Sequence, residues 1–248
     1  MIDYKSEEDI KKMRVACEIT RDTLNYLKDF VKPGISTWEL DKLAHDYIVS
    51  RGARPTFKNY NGFPGSLCTS INDEIVHGIP SKKVVLKEGD IISLDVGACI
   101  NGFTGDAART YPVGKITAQK KRLIKITEQS FFEGIKGLKS GCFVGDISNK
   151  IQKFVEKNGY SIVREMVGHG VGRHLHEEPD VPNFGRAGSG PKLMAGATIA
   201  IEPMVNMGER NVTFSNNGWT CLTLDGLPSA HYENTVLITE DGVEILTL

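Results

Sequence analysis

Two aspartates, Asp95 and Asp106, lie in a largely apolar stretch, Ile91 to Thr110, whose pattern is typical of two strands joined by a turn. The dipeptide Asn101-Gly102 favours positive φ at both central positions of a two-residue turn. In the resulting register Asp95 lies opposite Ala108, two residues from Asp106 and on the same face. The two carboxylates are then diagonal neighbours, about 7–8 Å apart at the backbone. Like charges on one apolar face need compensation, which a divalent cation supplies.

Three further residues could complete a metal site. His169 lies in the glycine-rich segment Met166–Gly172, where the glycines allow close approach of the backbone. Glu202 ends an apolar strand before Pro203, and Glu233 lies in a half-apolar strand. An acid within a core strand is costly unless it is paired or coordinated. Four carboxylates balance the charge of two divalent cations, and two bridged metals form a hydrolytic centre.

The donor set is rich in oxygen and contains one imidazole, which suits Mn, Fe or Co at least as well as Zn. The hairpin by itself leaves a second interpretation equally open, in which Asp95 and Asp106 lie on a solvent-facing edge and have no function.

The composition is typical of a globular protein with a substantial core: 248 residues, 40% hydrophobic and 25% charged, with a net charge of −1. Near-neutrality does not favour binding to nucleic acid or to an anionic membrane. The polar start predicts no signal peptide, and no apolar run approaches the roughly 20 residues of a membrane span. Five scattered cysteines without a CxxC motif indicate reduced thiols and argue against a disulfide framework or a structural zinc.

Apolar periodicity, capping residues and glycine or proline breaks define the predicted elements. Helices are predicted from Ser6 to about Lys32, from Ser36 (with Glu39 as a capping box) to about Arg51, from about Thr117 to Leu138, and from Asp146 to Asn158. Strands outside the hairpin are predicted at Ser66–Ile71, Glu74–Val76, Ser161–Val167, Thr198–Val205 and Tyr232–Ile238.

The chain repeats itself at an offset of 107 residues, at which Gly34 matches Gly141 and Asp95 matches Glu202. Ten such matches in one register predict an internal duplication. We therefore expect one catalytic α/β (α+β) domain over residues 1–248, with a central antiparallel sheet and outer helices. Its halves, about 1–110 and 111–248, are expected to be related by a pseudo-two-fold axis, so that acids from both halves converge on one site.

The chain resembles the type I methionine aminopeptidases, which have the "pita-bread" fold, over essentially its whole length. The resemblance rests on the order of the five candidate ligands and on a motif that runs from Met166 to Pro179, M-x-G-H-G-V-G-x-x-x-H-E-E-P. It implies a hydrolase that removes the initiator methionine from nascent proteins when the second residue is small.

The resemblance also implies a dinuclear centre that holds two divalent ions (Fe, Mn, Co or Zn). Asp106 and Glu233 would bridge the ions, Asp95 would bind one of them, and His169 and Glu202 would bind the other. A metal-bridging hydroxide would attack the first peptide bond, with Glu202 as a proton shuttle.

On the substrate side, the resemblance makes His77 and His176 hydrogen-bonding partners of the substrate, although either histidine by itself would more often be structural. The residues implied to line the methionine pocket are Tyr60, Phe63, Cys68, Leu175 and Trp219, with Phe57 nearby. Phe63 and Leu175 stand where Tyr and Phe are commoner, and His174 replaces a usual Gly. These departures bear on the shape of the pocket rather than on the reaction.

Four other residues receive weaker interpretations. Asn72 and Ser229 match positions that hold a monovalent cation in the family, but a turn residue and a cap explain them equally well. His45 and His231 are expected to be structural or surface groups.

The resemblance is to the compact, bacterial-style form without an N-terminal extension. It implies a cytoplasmic monomer whose partners are nascent polypeptide N-termini, leaves a ribosome contact open, and implies no membrane or specific nucleic-acid partner. Two alternatives remain at this point: an X-Pro peptidase of the same fold, and a non-catalytic ribosome- or RNA-binding protein of that fold.

Overall fold

The computed structural model describes all of residues 1–248. It contains one 3-10 turn at Tyr60–Gly62 and four α-helices: α1 (Glu7–Lys28), α2 (Thr37–Ser50), α3 (Ala118–Ile135) and α4 (Val144–Lys157). The strands are β1 (Arg54–Pro55), β2 (Leu67–Ile71), β3 (Glu74–Val76), β4 (Ile91–Ile100), β5 (Phe103–Pro112), β6 (Cys142–Phe143), β7 (Ser161–Ile162), β8 (Gly168–Gly170), β9 (Glu177–Val181), β10 (Lys192–Leu193), β11 (Thr198–Ile201), β12 (Met204–Asn206), β13 (Val212–Phe214), β14 (Cys221–Thr223), β15 (Ser229–His231), β16 (Glu233–Ile238) and β17 (Val243–Ile245).

The predicted starts of the first two helices are confirmed by their caps. Ser6 Oγ accepts a hydrogen bond from the Asp9 backbone N–H, and the Asp9 carboxylate accepts one from the Ser6 N–H. Ser36 and Glu39 form the same reciprocal pair at the start of α2. Each pair satisfies two backbone donors that a helix start otherwise leaves without partners.

The central hairpin has the predicted register. β4 and β5 pair along their whole length, with Ile100 opposite Phe103 and Asp95 opposite Ala108. Asn101 and Gly102 have φ of 55° and 79°, as a tight turn of this hand requires. The hairpin thus fixes the two aspartates without help from the rest of the chain.

A nine-stranded antiparallel sheet carries the hairpin in the order β1-β4-β5-β16-β11-β8-β9, with β2 also beside β4 and β17 beside β16. Alternate residues of β4, among them Ile92 and Leu94, pack with α1 and α2 in one core cluster. Ile199 of β11 and Val236 of β16 pack with α3 and α4 in another. Apart from Ile91 at the start of β4, the intervening residues of these strands belong to neither of these two clusters.

Two predicted strands are shorter in the structure. The predicted Thr198–Val205 strand breaks after Ile201, because Pro203 has no N–H to donate to the ladder, and the chain continues as β12 in a separate three-stranded sheet. The predicted Ser161–Val167 strand is only β7, since the chain turns away after the Val163 N–H binds the Met204 carbonyl. The first break places Glu202 at a strand end.

None of the four helices combines the length and the apolar character that crossing a bilayer requires.

Candidate metal centre

Strand register brings the five candidate ligands to one face of the nine-stranded sheet. Asp95 lies opposite Ala108, and Ala108 lies opposite Glu233 on the next strand. Directly opposed residues share a face, as do residues two apart on one strand. Asp106, two residues from Ala108, therefore points to the same side as Asp95 and Glu233.

The same argument brings in the remaining two ligands. Thr235, two residues from Glu233, pairs with Ala200, and Ala200 pairs with His169. Glu202 lies two residues beyond Ala200, just after the end of β11. Because Ala200 is small and its neighbour Gly168 has no side chain, β8 can approach β11 closely.

The His169 side chain has the geometry of a metal ligand. Its Nε2 lies 3.7 Å from Asp106 Oδ2 and 3.6 Å from Glu202 Oε1. Its Nδ1 lies 2.9 Å from the Gly170 carbonyl, to which an Nδ1–H donates. That hydrogen bond leaves the Nε2 lone pair facing the carboxylates, as is usual when histidine binds a metal.

Ligand atoms gather in two overlapping groups. Asp106, His169 and Glu233 offer atoms that lie within 4.8 Å of one another, and so do Asp95, His231 and Glu233. Glu233 belongs to both groups. We call the five sequence-predicted ligands, Asp95, Asp106, His169, Glu202 and Glu233, the cavity floor.

Burial and mutual repulsion make the cavity floor unfavourable for negative charge. The pKa values of Asp106, Glu202 and Glu233 are all raised well above their ordinary range, first by desolvation and then by the neighbouring carboxylates. Desolvation also raises the pKa of Asp95. Bound divalent cations would reverse these shifts, because an opposite charge stabilises the ionised form.

The unpaired atoms of the floor test whether its residues fit a metal. Asp95 Oδ1, Asp106 Oδ1 and Glu233 Oε1 are buried and have no hydrogen-bond partner. Buried carboxylate oxygens are normally paired, so three in one place require an explanation. Divalent cations, for which oxygen and imidazole are suitable ligands, provide it.

A cavity of about 410 Å³ opens over the floor. All of the pocket residues predicted from the resemblance line it: Tyr60, Phe63, Cys68, Leu175 and Trp219, which we call the cavity wall, together with Phe57. Phe63 and Trp219 make an edge-to-face contact with ring centroids 5.2 Å apart. Cys68 pairs with Asp95 across β2 and β4, and burial raises the pKa of its thiol, which keeps it neutral.

His77 and His176 also line the cavity. Burial, followed by the proximity of His176, lowers the pKa of His77 to about 4, so this imidazole is neutral at pH 7. Burial lowers the pKa of His176 as well. His176 Nδ1 lies 2.8 Å from Tyr60 Oη, and its ring centroid lies 4.3 Å from that of His169.

The remaining predicted residues lie outside the cavity. His174 is exposed and lines a smaller neighbouring cavity of about 300 Å³ with Arg54 and Arg173. The Ser229 N–H donates to the Asn72 carbonyl at 2.8 Å, so these two residues are adjacent. His45 is half-buried, with Nδ1 2.8 Å from Ser66 Oγ.

His231, which was expected to be a structural or surface group, lies beside the cavity floor. Its Nε2 lies 3.7 Å from Glu202 Oε2 and 3.8 Å from Glu233 Oε2. Burial lowers the pKa of this imidazole to about 3, so it is neutral. Its position two residues before Glu233 was the available signal, because residues two apart in an extended segment share a face.

A sheet of this topology with a buried carboxylate–imidazole cluster defines a metalloenzyme. The sequence profile of metallopeptidase family M24 matches residues 11–240, and the chain belongs to that family, whose name implies divalent metal ions. The chain is 55% identical to a methionine aminopeptidase of Clostridium perfringens, over 100% of this chain and 99% of that one. It is 50% identical to methionine aminopeptidase 1 of Bacillus subtilis, with the same coverage.

Solved structures agree with this assignment. The methionine aminopeptidase of Rickettsia prowazekii superposes with a TM-score of 0.98 at 43% identity, and each chain covers 100% of the other. The prolidase of Pyrococcus furiosus shares the fold at a TM-score of 0.81 and 23% identity, but this chain covers only 65% of it. The fold is therefore the pita-bread fold, as predicted, and the similarity favours the methionine aminopeptidases over the X-Pro peptidases.

Proposed function

We propose that the protein removes the N-terminal methionine from nascent polypeptides whose second residue is small. The observation that carries this proposal is an apolar cavity whose floor is a cluster of unpaired, buried metal-binding groups. Relatives named methionine aminopeptidase, at 44–55% identity over nearly their whole length, support it.

The five residues of the cavity floor would hold two divalent ions in this proposal, and the resemblance implies that Asp106 and Glu233 would serve both. The ions supply Lewis acidity, which lowers the pKa of water and polarises the scissile carbonyl. The ligand types leave Fe, Mn, Co and Zn open.

His77 and His176 orient the substrate. If Tyr60 Oη–H donates to His176 Nδ1, the neutral His176 ring carries its proton on Nε2. It then donates a hydrogen bond to a substrate oxygen that gains negative charge as the peptide bond is attacked, which lowers the barrier. His77 is also neutral at pH 7 and lines the same cavity, so its ring N–H can donate a second hydrogen bond to the substrate.

Glu202 moves the proton. With the ions bound, its carboxylate is ionised, so it can accept a proton from the attacking water and pass it to the leaving amine. It reaches both the His169 side of the floor and the cavity, where the substrate amide would lie.

The cavity wall binds the methionine side chain. Phe63 and Trp219 present ring edges and faces, and sulfur–aromatic contacts favour a thioether at this position. Cys68 and Leu175 close the apolar surface. A cavity of this kind buries one side chain and leaves the rest of the polypeptide outside.

Hydrolysis of model peptides tests the proposal. Chelator-treated protein is reconstituted anaerobically with Fe, Mn, Co or Zn and assayed on Met-Ala-Ser and on an X-Pro peptide. We expect release of free methionine from Met-Ala-Ser, no release by the metal-free protein, and no preference for X-Pro. Preferential X-Pro cleavage, or methionine release without metal, would contradict the proposal.

A matched variant separates catalysis from a non-catalytic binding role. His169→Ala removes the only imidazole of the floor, whereas His45→Ala removes a half-buried histidine far along the sequence. We expect His169→Ala to lower kcat/KM by much more than tenfold and His45→Ala to leave it nearly unchanged. A loss below tenfold in His169→Ala would favour a binding protein or a contaminating peptidase.

We also propose a monovalent cation at the adjoining Asn72 and Ser229 segments, supported by the proximity of their backbones. We expect a higher Tm in potassium chloride than in choline chloride at equal ionic strength, and equal Tm values would contradict the cation site.

The protein is further proposed to act as a monomer in the cytoplasm, with nascent chains at the ribosome as its substrates. Sedimentation of the purified protein tests the monomer.

A further inference from the structure

His231 is a buried side chain at the cavity floor that the proposed function leaves without a role. It is 1% exposed, and its Nε2 lies between two floor carboxylates, 3.7 Å from Glu202 Oε2 and 3.8 Å from Glu233 Oε2. Neither ring nitrogen has a hydrogen-bond partner. A buried polar side chain without partners is uncommon and calls for a reason.

The backbone of His231 is held firmly in this position. Its N–H donates to Thr110 Oγ1 at 2.9 Å, and the Thr110 hydroxyl donates to its carbonyl at 2.8 Å. Thr110 in turn lies two residues beyond Ala108 on β5, the strand that carries Asp106. The backbone of His231 is thus fixed relative to the floor by the same strand that carries one of the acids.

Comparison with His169 shows which role His231 can have. The two Nε2 atoms lie at nearly the same distances from their carboxylates, but their Nδ1 atoms differ. His169 Nδ1 has the Gly170 carbonyl at 2.9 Å, whereas His231 Nδ1 has no partner. A metal-binding histidine almost always donates its other N–H to an acceptor, so His231 lacks the support that a ligand needs.

The opposite tautomer removes this difficulty. With the proton on Nε2, the N–H faces the two carboxylates, and only a lone pair on Nδ1 lacks a partner. An acceptor without a partner is tolerated better than a buried N–H without one. The tautomer that fits His231 is therefore a hydrogen-bond donor to the floor.

We propose that His231 is a positioning residue, whose Nε2–H donates to the carboxylate of Glu202 and orients it toward the metal-binding cavity. Glu202 needs such support because it follows the end of β11, where no neighbouring strand pairs with it. The 3.7 Å separation exceeds a hydrogen bond, so the carboxylate moves by less than about 1 Å to form it. The proposal rests on the proposed function in that Glu202 is taken as a metal ligand.

Two substitutions test the role through metal binding. His231→Gln keeps an N–H donor of similar reach, and His231→Leu keeps bulk without a donor. Calorimetric titration of Mn²⁺ into metal-free protein should show affinity weakened by about 10–100-fold in His231→Leu and by less than about threefold in His231→Gln, since an orienting partner is worth about that much. Unchanged affinity in His231→Leu, or equal weakening in both variants, would overturn the proposal.

A second measurement needs no variant and holds even if His231→Leu does not fold. Long-range ¹H–¹⁵N correlation spectra of zinc-loaded, ¹⁵N-histidine-labelled protein report the tautomer of each ring. We expect His231 to carry its proton on Nε2 and His169 on Nδ1. A zinc-bound Nε2 on His231 would make it a ligand and overturn the proposal.

These readouts are independent of peptide hydrolysis. Normal metal binding and the expected tautomers without methionine release would contradict the proposed function alone. Methionine release with a zinc-bound His231 would contradict the positioning role alone.

Discussion

The cavity floor and the cavity wall are built from different parts of the fold. The floor takes Asp95, Asp106, His169 and Glu233 from strands whose pairing fixes their positions residue by residue. The wall takes its side chains mainly from irregular segments: Tyr60 from a 3-10 turn, Leu175 from the connection between β8 and β9, and Trp219 from the turn between β13 and β14.

This difference separates two kinds of requirement. Metal binding requires a fixed geometry, and strand ladders supply it because one residue of slippage would turn every ligand to the other face. A methionine side chain is flexible, so its pocket tolerates walls made of packed loops. We therefore expect substitutions in the floor to abolish activity, and substitutions in the wall to change affinity.

The largest expected effect comes from the floor residue that belongs to both ligand groups. Glu233→Gln keeps the shape of the side chain but removes the negative charge of a residue that belongs to both ligand groups. We expect kcat/KM on Met-Ala-Ser to fall by more than about a hundredfold, since losing a residue that only supports a ligand already costs about 10–100-fold.

The same substitution should stabilise the metal-free protein, because it removes one of four crowded acids. Thermal unfolding in the presence of chelator should show a higher Tm than the wild type, at about 2–4 °C for each kcal/mol gained in a chain of this size. A loss of both activity and Tm would indicate misfolding rather than loss of a ligand.

The wall should respond differently. Phe63→Leu removes the edge-to-face contact with Trp219 and part of the apolar surface that would meet the methionine side chain. We expect KM to rise by about tenfold, which is near the 0.5–1.5 kcal/mol of an aromatic pair, with kcat nearly unchanged. A fall in kcat at constant KM would place Phe63 among the groups that act on the transition state.

The contrast between floor and wall also explains what the sequence could predict. The Asn101-Gly102 turn fixes the register of Asp95 against Ala108, so the relative positions of two of the five floor residues, Asp95 and Asp106, followed from local rules. The pairings of Ala108 with Glu233 and of Ala200 with His169 join residues more than 30 apart, and no local rule predicts them. The 107-residue repeat predicted that acids from the two halves converge, but only the family resemblance assigned the five residues to one ligand set.

His231 shows the opposite case. Its spacing of two residues from Glu233 predicts that both side chains share a face in an extended segment. A histidine among apolar neighbours is usually structural, however, so the sequence pattern by itself could not show whether His231 has a role at the floor. The break after Ile201 was also missed, although Pro203 is visible in the sequence, because the apolar run continues through it.

The pH dependence of stability should distinguish the metal-free floor from the metal-bound one. Acids whose pKa is raised in the folded state bind protons more tightly there than in the unfolded chain, so stability falls as pH rises toward the folded pKa values. Histidines with lowered pKa, such as His77 at about 4 and His169 at about 3, act in the opposite sense, but only below their ordinary value of 6.5.

Between pH 6.5 and 7.5 the histidines no longer contribute and the buried thiols, whose ordinary pKa is 9.0, do not yet contribute, so the acids dominate. The Tm of metal-free protein should therefore fall by a few degrees over this range, at about 2–4 °C per kcal/mol. The metal-loaded protein should not show this fall, because bound cations keep the carboxylates ionised in the folded state. Parallel thermal scans with chelator and with excess Mn²⁺ make the comparison. Equal slopes would mean that the floor acids do not hold the metal.

The smallest expected effect concerns His174, which stands where the resemblance implies a glycine but lies outside both regions. It is exposed and lines the smaller cavity with Arg54 and Arg173, while its neighbours Leu175 and His176 line the main one. His174→Gly should change kcat/KM on Met-Ala-Ser by less than about twofold, within the 0.5 kcal/mol typical of surface substitutions. A KM increase comparable to that of Phe63→Leu would instead mean that the exposed loop sets the position of Leu175, and that the wall depends on its backbone as closely as the floor depends on strand register.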